Sequence, residues 1–148
     1  MNNQKNIKST VLLVPATVTH GATATANFDC LDAGSAEILV TLGALAGGTN
    51  GTAPSAIKIS QSDDTVVTNF TEITALSTGA AAVGASESVR FFVDRSNGNR
   101  KRYLRLEVTV PAGSTNNNIP MAAVGFLDKL DEAPSGTAEY GSTVVKEV

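Results

Sequence analysis

Along much of the chain, apolar and polar residues alternate one by one, the period of a strand with one buried face. From Ala22 to Leu31, the residues Ala22, Ala24, Ala26, Phe28 and Cys30 alternate with Thr23, Thr25, Asn27 and Asp29. The same rhythm sets Ala36, Ile38, Val40 and Leu42 on one face of a second segment. Val89, Phe91 and Val93 share a face between Ser88 and Asp94, and Leu104, Leu106, Val108 and Val110 share one between Arg102 and Val110. Shorter strands are expected at 10–18, 56–60, 71–74 and 121–130, the third of them weak.

The joints carry turn chemistry. Gly47 to Gly51, Ser96 to Asn99 and Gly113 to Asn118 are rich in Gly and Asn, which accept positive φ at little cost. Ser96 to Asn99 lies between two strong strands and reads as a hairpin tip. Gly79 to Ala85 is rich in alanine but short and interrupted by glycine, so it reads as a loop and no helix is expected. Seven or eight short strands with turn-rich joints predict an all-β fold, an antiparallel β-sandwich or jelly-roll-like barrel. The expected limits are an N-terminal arm at 1–9, a β-sandwich domain at 10–130 and a C-terminal arm at 131–148. Both arms are too polar to pack a core of their own.

Composition narrows the reading. With 148 residues, one domain is expected, and its core is large enough to need no metal or disulfide. Charged residues are only 17%, with Thr, Ser, Asn, Gly and Ala in their place, a surface suited to contact with other protein. A net charge of −3 gives no reason to expect nucleic-acid binding. No apolar run approaches the roughly 20 residues of a membrane helix, and none resembles a signal core. A soluble protein made in a cytoplasm is expected.

Catalytic constellations are missing. A hydrolase needs a nucleophile beside a base, and the single histidine, His20, falls in an expected turn. Cys30 is the single cysteine, and its place in an alternating strand marks it as a small buried apolar residue. One Cys and one His do not make a zinc site. Asp63 and Asp64 are adjacent rather than spaced as a calcium loop requires, so they read as turn residues. Neither an enzyme nor a cofactor is expected. Sugar-binding β modules present flat aromatic rings, and this chain has no Trp and two tyrosines, Tyr103 and Tyr140.

One charged feature stands out. Arg90, Arg95, Arg100, Lys101, Arg102 and Arg105 are six of the eleven basic residues and fall within sixteen positions. They read either as a solvated hairpin whose charges prevent wrong strand pairing or as a contact for an acidic protein surface. The candidate partner contacts are Lys5 and Lys8 in the N-terminal arm, Arg95, Arg100, Lys101 and Arg102 around the expected hairpin, and Val144 and Val145 in the C-terminal arm.

The run Ala22 to Gly34, followed by Ala36 to Leu42, Ile57 to Asp64, Asn69 to Ile73, Arg90 to Asp94, Arg100 to Leu106 and the tail opening Asp131-Glu132-Ala133-Pro134, resembles the head decoration proteins of tailed bacteriophages. The likeness spans residues 10 to 134. It implies a virion structural protein on the outer surface of the capsid, with the major capsid protein as partner. It also implies a small homo-oligomer, a trimer being favoured, with neither nucleic acid nor membrane bound. A glycan-binding module displayed on a phage particle and a tail or adaptor subunit are the alternatives. Polar arms could then order by adding a strand to a neighbouring sheet edge.

Overall fold

The computed structural model describes residues 7–44, 54–78, 86–95, 100–112 and 118–130. Eight strands lie among them: β1 (Lys8–Val18), β2 (Thr23–Asp29), β3 (Ala33–Leu42), β4 (Ala56–Ser62), β5 (Thr71–Glu72), β6 (Ser88–Asp94), β7 (Tyr103–Thr109) and β8 (Ile119–Leu130). Two single 3₁₀ turns, Val67–Asn69 and Thr74–Leu76, flank β5. The weak strand expected at 71–74 is therefore two residues long and runs into a turn.

The strands form two antiparallel four-stranded sheets. Sheet A has the order β1-β8-β3-β6, and sheet B has the order β2-β7-β4-β5. First pairs with eighth, second with seventh, third with sixth and fourth with fifth. This nested pairing is the jelly-roll order, one long hairpin rolled into two sheets. The all-β sandwich expected from the alternation is what the chain forms.

The inner faces are the apolar halves of the alternating runs. Ile38, Val40 and Leu42 of β3 meet Leu104, Leu106 and Val108 of β7 in one core cluster, each at most 1% exposed. Cys30 is fully buried there, as expected. Gly125 of β8 sits inward without a side chain, and the Phe28 ring of the opposite sheet fills the space. A Cβ at Gly125 would lie 2.7 Å from that ring.

Two expectations need correction. Lys8 and Ser9, expected in the N-terminal arm, belong to β1 and pair with Leu127 and Phe126. β6 and β7, on either side of 96–99, are not paired as the expected hairpin. β6 pairs with β3 in sheet A, whereas β7 pairs with β2 and β4 in sheet B, so the chain between them crosses from one sheet to the other. The loops 47–51, 79–85 and 96–99 fall outside the described residues, as do 113–117 of the loop expected at 113–118.

Candidate functional site

The basic cluster is divided between the two sheets, and most of its members are paired within the chain. Arg95, just past β6, donates from Nη1 to the carbonyl oxygens of Cys30 and of Ala33, the latter at 3.0 Å, and from Nη2 to the Lys101 carbonyl at 3.2 Å. It ties the β2–β3 turn to the strand that enters sheet B. In that turn Asp32 has a φ of 60° and the Leu31 N–H donates to Asp29 Oδ1 at 3.1 Å.

Arg102 grips the same corner from outside. Its Nε and Nη2 donate to the two oxygens of Asp29 at 2.9 and 2.7 Å, a fork-on-fork pair. The guanidinium holds the Asp29 carboxyl below the usual carboxylate range, and the carboxylate in turn raises Arg102 above its ordinary value. Lys101 Nζ meets Asp63, and Arg90 Nε meets Glu37 at 3.0 Å on sheet A. Arg105 Nε lies 3.4 Å from Glu107 on sheet B. Five of the six cluster residues thus have internal partners, an engagement that residue spacing could not show. Arg100 is half-buried. Lys8 is half-buried at the start of β1, and Lys5, Val144 and Val145 lie outside the described residues.

The remaining chemical candidates are occupied by local structure. His20 is exposed in the β1–β2 turn, where Gly21 has a φ of 70°. Asp64 accepts the Val66 N–H at 2.9 Å and Asn69 Nδ2 at 2.8 Å, which lowers its pKa, while the neighbouring Asp63 turns to Lys101. Burial pushes the Cys30 thiol up to about 12, and Sγ donates to the Phe28 carbonyl at 3.4 Å. Tyr103 carries the Arg102 guanidinium over its ring at 4.8 Å, which covers one ring face. Among the described residues no three His, Cys, Asp or Glu side chains gather as a metal site, and no helix is long and apolar enough to cross a membrane.

What the alternation could not separate is the character of the two outer faces. On sheet B the rows across the strands are polar: Thr25, Glu107 and Lys58 in one, Asn27, Arg105, Ser60 and Glu72 in the next. Lys58 and Glu72 pair across these rows at 3.0 Å, and Arg105 lies over the Phe70 ring at 5.6 Å. On sheet A one row reads Ser9, Phe126, Glu37, Phe92 and the next reads Val11, Val124, Leu39, Arg90. Phe92 is 59% exposed and Val11 56%. A shallow depression of about 340 Å³ opens here, lined by Ile7, Leu39, Phe92 and Phe126 together with Glu37, Arg90, Ser35 and Asp128. A second, of about 370 Å³, lies towards the other end of sheet A beside Pro15, Thr41, Pro120 and Ala122.

The outer face of sheet A is the candidate site. Phe126 and Phe92 flank Glu37 there, and the Arg90–Glu37 pair lies among exposed apolar side chains, a mixture also found in protein contact surfaces. No family model matches the chain, and no curated protein matches it.

Proposed function

We propose that this chain is a virion structural protein that decorates and stabilises a phage capsid by binding the assembled lattice of the major capsid protein. The observation that carries the binding role is the apolar outer face of sheet A, set against the polar outer face of sheet B. The capsid as target rests on the resemblance to head decoration proteins. Jelly rolls recur in viral shells and in lectins, so the fold agrees with this reading and also with its glycan-binding alternative. The partial cover of Tyr103 by Arg102 favours the first.

The mechanism is thermodynamic. A protein that binds the closed shell and not its free subunits stabilises the shell by mass action. Copies that touch two capsid subunits at once gain further through effective concentration. The expected place of action is the outer capsid surface, reached from the host cytoplasm, as a small homo-oligomer with no enzymatic step and no cofactor.

Co-sedimentation of the purified chain with expanded capsid shells tests this. The wild-type chain should saturate the shells and raise their melting temperature. Leu39→Lys, which sets a charge in the middle of the apolar face, should weaken binding by about tenfold or more while the fold persists. Unchanged binding by that variant would remove sheet A as the docking face. Binding to a glycan array but not to shells would favour the lectin alternative.

A further inference from the structure

Strand order places β2 at one end of sheet B, with β7 as its neighbour in that sheet. The turns before and after β2 are both described, since residues 7–44 run without a gap. Among the described residues, backbone bonds to β2 come from β7 alone. β1 lies over it in the facing sheet. The edges at β1 and β5 are blunted. β1 carries Pro15 and register shifts between Val11 and Leu13 and between Leu13 and Ala16, and β5 has two residues. β2 has seven residues, with no Pro, no Lys and no shift of register from Thr23↔Thr109 to Asp29↔Tyr103. A regular edge of this kind is a template for another strand.

The hydrogen-bond phase shows which residues point off this edge. The Val110 N–H donates to the Ala22 carbonyl at 2.9 Å, and the Cys30 N–H donates to the Arg102 carbonyl at 3.0 Å. Between these bonds the even-numbered residues Ala24, Ala26 and Phe28 face β7. The N–H and C=O groups of Thr23, Thr25 and Asn27 therefore point away from the sheet. Their side chains are exposed on the outer face, and none is charged. On the inner face Phe28 is buried, but Ala24 and Ala26 are only half-buried. A further strand beside β2 would cover both alanines.

We infer that β2 pairs antiparallel with β2 of a second copy about a two-fold axis at Ala26, joining two B sheets into one of eight strands. In this register the whole strand overlaps. Thr25 of each copy faces Asn27 of the other, and Ala26 faces its symmetry mate. Asp29 keeps Arg102 as its side-chain partner and contributes only backbone opposite Thr23. Polar cross-strand pairs of this kind are stabilising. Moving the axis to Asn27 sets the turn at Leu31 against Thr23, and moving it to Thr25 sets Gly21, with its φ of 70°, against Asp29. Either move shortens the paired segment. A second copy suits the edge because an uncharged row meets its own copy without like-charge repulsion. The two-fold contact is also closed, since each edge satisfies the other. The inference does not rest on capsid binding, which is assigned to the outer face of sheet A.

Sedimentation equilibrium of the full chain, with no shell present, tests it. The edge is small by the standards of stable dimers, so a dissociation constant between about 10 µM and 1 mM is expected. Thr25→Pro removes an N–H that points off the edge and none that bonds to β7. It should weaken the dimer by about tenfold or more while the diluted chain stays folded. The pair Thr25→Lys with Asn27→Lys sets like charges across the axis and should also weaken it by about tenfold, whereas Thr25→Lys with Asn27→Glu should not. Hydrogen exchange on the wild-type chain supplies a reading that needs no variant: the amides of Thr25 and Asn27 should gain protection as concentration rises. A chain monomeric up to about 1 mM would overturn the inference. A dimer indifferent to Thr25→Pro and to the double lysine variant, or one with no added protection at Thr25 and Asn27, would also overturn it.

Discussion

Asp29 belongs by its alternation to the solvent face of β2, and there it accepts the Arg102 fork and the Leu31 N–H at the corner between the sheets. Its folded pKa is lowered, chiefly by the hydrogen bonds from Arg102. The sign follows by linkage. A depressed carboxyl stabilises the fold above its unfolded pKa, near 3.9, and that stabilisation is lost as pH falls through the folded value. Asp29→Asn should therefore lower the melting temperature at neutral pH and flatten its fall below about pH 4, measured by thermal scans across pH. Arg95 has the more internal role, because three backbone carbonyls accept from its guanidinium. Cys30 has the opposite titration: burial raises the thiol, so its contribution is present below the unfolded thiol pKa and is lost only as pH climbs towards 12. The sequence showed that Cys30 faces inward, because burial follows from strand period. It could not show that Arg95 and Arg102 turn to their own chain, because that depends on which loops meet at the corner.

At the scale of elements, most strands lie where the alternation predicts, and the inward set Ile38, Val40, Leu42, Leu104, Leu106 and Val108 is the one read from the chain. Strand partners are another matter. Ser88–Asp94 and Tyr103–Thr109 look like the arms of a hairpin, yet they lie in different sheets. Period two reports which face of a strand is apolar, and both sheets of a sandwich have an apolar inner face. The eight residues between the two strands are longer than a tight hairpin loop, and that length was the available warning. Gly125 shows the same division. Its place in β8 is visible in the sequence, but the Phe28 ring that covers it comes from the opposite sheet. Gly125→Ala should destabilise the fold by about 1–3 kcal/mol in denaturant titration, since the new methyl would have to displace that ring. Phe28→Leu in the same chain should recover part of the loss by making room.

At the scale of the molecule, two sheets built from similar alternating runs present different outer faces. Sheet B pairs Lys58 with Glu72 and Arg105 with Glu107, while sheet A exposes Val11 and Phe92 around an apolar depression. If sheet A is the docking face, shell binding should change little between about 0.1 and 1 M salt, because apolar contact is not screened. Strong weakening by salt, abolished in Arg100→Glu, would return the role to the basic cluster. Arg100 is the residue to change for this purpose, since a carboxylate at Arg102 would face Asp29 and disturb the corner itself. The sequence by itself determined the all-β class, the inward faces and the low surface charge, because these follow from local period and composition. Only the tertiary structure decided the jelly-roll order, the internal pairing of the basic cluster and the apolar character of the outer face of sheet A. Each of these depends on which strands become neighbours. That is settled by contacts between segments far apart in the chain, which a one-dimensional pattern does not encode.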